Sequence, residues 1–107
     1  MNSRVTYQDS LQDRITEGVA LMRVALDKRA PYLALATARE AARTALLALG
    51  QAPFRPASRE LALLREVATA TPHRFAGRPG DRQALVSATL DLLERLFPHP
   101  AAAGGGG

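Results

Sequence analysis

Apolar residues recur along the N-terminal part of the chain at Leu11, Ile15, Val19, Met22 and Leu26, spaced four, four, three and four. That period predicts an amphipathic helix, with Asp13, Arg14, Glu17, Arg23 and Asp27 largely off its apolar stripe. Thr6 with Asp9 marks a weak capping arrangement at its start, and Lys28 and Arg29 suit its C-terminus, where the helix dipole favours positive charge. Gly18 inside the helix costs about 1 kcal/mol relative to alanine, which close approach of a neighbouring helix would explain. Pro31 fits the first turn of a second helix, because its missing N–H has no intrahelical partner there. The link from Arg29 is so short that the two helices form a hairpin or a kinked continuation, and the hairpin is preferred. The second helix runs to about Leu49, with Gly50 available for a left-handed C-terminal position. Ala38, Ala42, Leu46 and Leu49 make its apolar face, Thr37, Glu40 and Thr44 its polar side, and Tyr32, Leu35, Arg39, Arg43 and Leu46 a mixed row along one border.

The segment QAPFRPA, residues 51–57, is too rich in proline to extend that helix, and Phe54 is placed to fold back on the end of the domain. Ser58 is the expected cap of a third helix, residues 58–70, with Leu61, Leu64, Val67 and Ala68 inward and Thr71-Pro72 ending it. The irregular stretch TPHRFAGRPGD follows. Asp81 is the expected cap of a fourth helix, with Leu85, Thr89, Leu92 and Leu96 as its stripe, widened by Val86 and Leu93, and Pro98 as its stop. Four helices with short connections predict an all-α fold, an antiparallel up-down-up-down four-helix bundle. Residues 1–5 read as a flexible lead-in, 6–97 as the bundle and 98–107 as a flexible Pro/Ala/Gly tail. No internal repeat is present.

Composition sharpens this picture in two respects. Much of the 47% apolar content is alanine, with two tyrosines, three phenylalanines and no tryptophan, so the core must rest on leucines. The net charge is +4, and Lys28 is the sole lysine among fourteen basic residues, so cationic chemistry here is guanidinium chemistry. With no cysteine, disulfides, thiolate catalysis and cysteine-based zinc sites are excluded. No apolar run approaches the roughly 20 residues needed to cross a bilayer. MNSRVTYQDS lacks the apolar core of a secretory signal, so a cytoplasmic protein is expected, without membrane contact.

Candidate chemistry is sparse. His73 and His99 have no helical partner ligands, so no metal site is predicted. The serines lack a neighbouring base, and FAGRPGD lacks the lysine and hydroxyl of a phosphate loop, so neither catalysis nor a cofactor is expected. The arginines remain. Arg39 and Arg43 lie four apart on one side of the second helix and, with Tyr32, could hold one phosphate or carboxylate. Alternatively, Arg39 pairs with an acidic residue of the first or fourth helix, while Arg43 lays its stem over the core edge. Arg55 and Arg59 at the turn into the third helix, with Arg74, Arg78 and Arg82 around the long loop, would carry nucleic-acid binding.

The tyrosine near a helix start, the run AREAARTALLALG, the turn QAPFRP and the following SRELALLREV resemble the HEPN family of small four-helix proteins. The pattern spans about residues 32–66, and the architecture about 11–97. The resemblance implies a bacterial dimeric bundle that works with a minimal nucleotidyltransferase in a toxin–antitoxin pair, and in active members cleaves RNA. The family's ribonuclease motif sets a longer gap between its arginine and histidine than the three residues between Arg95 and His99, and Pro98 interrupts the helix there. Ala57 stands where relatives often carry histidine. The implied role is therefore a non-catalytic, homodimeric module that binds a partner protein or a nucleotide. Nucleic-acid binding is the alternative, and a weak ribonuclease a third reading.

Overall fold

The computed structural model describes residues 3–51 and 55–98, with side chains from residue 9 onward. Four α-helices follow in order: α1 (Ser3–Asp27), α2 (Pro31–Leu49), α3 (Ser58–Ala68) and α4 (Pro79–Leu96). A short 3-10 turn, Pro72–Phe75, precedes α4. No strand occurs among the described residues. None of the helices is long and apolar enough to cross a membrane. α1 begins three residues before Thr6, and Met1 and Asn2 lie outside the described residues.

The α1–α2 corner is made by the backbone. Ala30 N–H donates to Ala25 O at 2.8 Å and Arg29 N–H to Leu26 O at 3.1 Å, the crossed pair of a Schellman ending. That ending needs a left-handed residue, usually glycine, and Arg29 takes the role at φ +54°. Lys28 and Arg29 thus lie beyond the helix rather than in its last turn. Past the corner, α1 and α2 pack closely. A Cβ placed on Gly18 would meet Ala41 Cβ at 3.1 Å, so the glycine permits the approach that its sequence position suggests.

α2 packs against each of the other three helices. Its buried residues therefore extend past the predicted face, to Ala34, Leu35, Ala38, Ala41, Ala42, Thr44, Ala45, Ala48 and Leu49. Six of these nine are alanine, and short side chains are what let three helices crowd one axis. Thr44, expected on the polar side, is buried, its hydroxyl donating to Glu40 O at 3.0 Å. Gly50 does not turn left-handed. It stays helical at φ −63° and ψ −19°, and its N–H donates to Leu46 O.

The caps differ from the expected ones. Ala57, not Ser58, is the N-cap of α3, and Glu60 Oε1 accepts the Ala57 N–H at 2.9 Å, half of a capping box. α3 ends at Ala68, two residues early. α4 begins at Pro79 with Arg78 as N-cap, so Asp81 lies in its first turn, 3.6 Å from Arg78. The core joins Leu11, Ile15 and Met22 of α1 to Leu35, Leu64, Val67, Val86, Leu92 and Leu93. On α4 it centres on Val86, Thr89 and Leu93, leaving Leu85 and Leu96 half-buried. Phe75, in the segment that reads as loop, is buried in the 3-10 turn. Phe54 lies outside the described residues, as does the chain beyond Pro98.

Candidate functional site

The two arginines of α2 close the end of α3. Arg43 Nε donates to Ala68 O at 3.0 Å and Arg39 Nη1 to Ala70 O at 3.2 Å. These carbonyls have no helical partner at a helix end, and the dipole there favours cations. Among the described residues neither arginine meets an acidic residue of α1 or α4. The Glu40 carboxylate on α2 itself, 3.5 Å from Arg43, is the acidic contact. Buried Arg39 Nε has no hydrogen-bond partner among the described residues. Tyr32 lies seven residues from Arg39 on the same helix, about 10 Å along its axis. The three predicted ligand-binding residues are therefore not one cluster.

Tyr32 has a different neighbour. The Arg82 guanidinium lies over its ring, 5.6 Å from the centroid. Arg82 also borders a cleft of about 330 Å³ at the α1–α2 corner, walled by Ala25, Leu26, Ala34 and Val86 and edged by Arg29 and Gln83. Arg74 and Arg78 are committed nearby: Arg74 pairs with Glu66 and stacks on Phe75, and Arg78 pairs with Asp81. Arg55 and Arg59 sit at the start of α3, where Glu60 bonds Arg95 near the end of α4 at 2.8 Å. Arg82 and Arg95 are thirteen residues apart on α4, about 20 Å. The five arginines considered for nucleic acid thus divide between two ends of the molecule. His73 is exposed in the 3-10 turn, and His99 lies outside the described residues.

A surface that the core pattern hides lies on the outer side of α1 and α2. An open groove there is lined by Gly18, Leu21, Ala36 and Ala41, with Arg14, Glu17 and Glu40 at its rim. Leu21, Val24, Leu33 and Leu47 are each 46–54% exposed, and with Tyr32 they are the exposed large apolar residues among those described. All lie on α1 or α2. On α1 the signal is a second stripe, Arg14, Glu17, Leu21 and Val24, spaced three, four and three. On α2 it is Leu33, Thr37, Glu40, Thr44 and Leu47, spaced four, three, four and three. Each runs beside the core stripe of its helix.

Compared with known proteins, the chain matches no family model, no curated protein and no solved structure.

Proposed function

We propose that this protein is a non-catalytic helical interaction module, HEPN-like in architecture, that pairs with a second copy of itself through the outer face of α1 and α2. The observation that carries this is that, among the described residues, the exposed large apolar side chains all lie on those two helices, with Leu21 lining a groove that Gly18, Ala36 and Ala41 also line. Such a lining admits close backbone approach, and contiguous exposed apolar surface marks association sites. The rim fits a like partner. Arg14 stands on the α1 wall and Glu40 on the α2 wall, so a two-fold that lays α1 over the second copy's α2 sets opposite charges together twice.

The bundle behind this face is an up-down-up-down antiparallel one. Support comes from the order of contacts across it: Arg39 reaches Ala70 and Arg43 reaches Ala68, opposite senses along α2 and α3, and Glu60 in the first turn of α3 meets Arg95 near the end of α4. The tyrosine-to-SRELALLREV pattern of residues 32–67 supports the HEPN-like reading.

Sedimentation equilibrium tests the pairing. The wild type is expected to be dimeric at micromolar concentration. Leu21→Asp/Leu33→Asp should weaken association at least about 30-fold, the loss of about 2 kcal/mol typical of a central apolar contact. Both positions are half-exposed, so the variant should keep its helical circular dichroism. A wild type that stays monomeric at high concentration would overturn the proposal. Dimers unaffected by the substitutions would move the interface elsewhere.

A further inference from the structure

The cleft at the α1–α2 corner is distinct from the outer groove and has a different chemistry. Ala25, Leu26, Ala30, Pro31, Ala34 and Val86 form its apolar part, its volume of about 330 Å³ is at the small end of ligand pockets, and among the described residues no carboxylate lines it. Arg29, at the corner, and Arg82, in the first turns of α4, both line it. Among the described residues Arg29 and Arg82 have no carboxylate within 4 Å, as is true of Arg14, Arg39, Arg55, Arg59 and Arg65, but only these two line the cleft. Two unneutralised guanidiniums therefore converge on an apolar hollow. The Tyr32 ring steers Arg82 without discharging it.

The backbone adds a separate reason. Arg29 holds a left-handed conformation that costs an L residue about 1–2 kcal/mol and that glycine adopts freely. Non-glycine residues kept in such a conformation concentrate at functional sites. Glycine would serve the corner better, while arginine serves the cleft.

We infer that this cleft binds a small organic phosphomonoester, its phosphate bridged by Arg29 and Arg82 and its apolar body on Ala25, Ala34 and Val86. Two guanidinium forks can supply several parallel donors to phosphate oxygens, which fits the tetrahedral head better than a planar carboxylate.

The probe is phenyl phosphate, titrated into the isotopically labelled full chain and followed by amide chemical shifts. Saturable shifts are expected at Arg29, Ala30, Arg82 and Gln83. Arg82→Ala should weaken binding at least about tenfold, since a hydrogen bond to a charged group is worth that much or more. Arg29→Gly should do the same while raising the unfolding midpoint, which separates lost binding from lost folding. Arg59→Ala, at the far end, should bind like the wild type. Benzoate and inorganic phosphate should each bind more weakly than phenyl phosphate. No saturable shift at millimolar probe would overturn the assignment. So would shifts centred elsewhere, equal binding of benzoate, or full binding by the Arg29→Gly and Arg82→Ala proteins.

Discussion

Leu64→Ala is expected to destabilise the fold by about 2–5 kcal/mol, the cost of a buried leucine whose space does not refill. Leu64 is completely buried on α3, which has only eleven residues. A helix that short has little stability of its own in water and exists because of what it packs against. Leu64 and Val67 provide that packing, and Arg39 and Arg43 hold the far end through the Ala70 and Ala68 carbonyls. With a typical domain stability of about 5–15 kcal/mol, the substitution removes a large share. Urea denaturation should show a midpoint shift of that size, whereas Leu61→Ala, half-buried one turn earlier, should cost markedly less. A loss under about 1 kcal/mol for Leu64→Ala would mean that α3 contributes little to the core.

Gly18→Leu should cost about 3 kcal/mol, the upper part of the range for overpacking. A first carbon at this position already comes to 3.1 Å from Ala41 Cβ, closer than most such contacts, and leucine adds three more in the same seam. Ala41 is buried in the helix that touches all others, so α2 cannot recede without disturbing α3 and α4. Gly18→Ala separates the two influences on the site. The gain in helix propensity of about 1 kcal/mol opposes the tight contact, so its net effect should be small. Pairing Gly18→Leu with Ala41→Gly should recover part of the loss. Thermal unfolding of the four proteins checks the series. A stable Gly18→Leu protein would contradict the close α1–α2 seam.

Regular features were legible in the sequence. Helical spacing marked Leu11, Ile15 and Met22 for the core, Pro31 marked the start of α2, and Pro98 follows the end of α4. Less legible was whatever depends on how many neighbours a helix has. Thr44 was placed on a polar side because α2 was given a single apolar face, and three packing partners bury it. Residue preference alone favours Ser58 and Asp81 as caps. Here the α3 cap is completed from Glu60, and α4 starts on a proline.

The candidate site was legible only in part. Arg39 and Arg43 stood out for lying beside the apolar row, and the reason is structural: they reach across to carbonyls at the end of α3, which spacing within α2 cannot reveal. Tyr32 and Arg82 are fifty residues apart and meet only through the fold. Arg29 read as an ordinary basic residue at a helix end, and its left-handed backbone has no signature in a single sequence.

Pairing through the outer face of α1 and α2 is tested most directly by a distance between two copies. The chain has no cysteine, so a single Ala20→Cys, exposed on α1 beside the groove, can carry a spin label with no competing site. Electron–electron dipolar spectroscopy should then give an intermolecular distance of roughly 10–25 Å, packed helices lying about 8–10 Å apart before the label arms are added. A label at Arg65→Cys on exposed α3 should give a clearly longer one. Absence of intermolecular coupling at Ala20→Cys, or a shorter distance from Arg65→Cys, would contradict the proposed face.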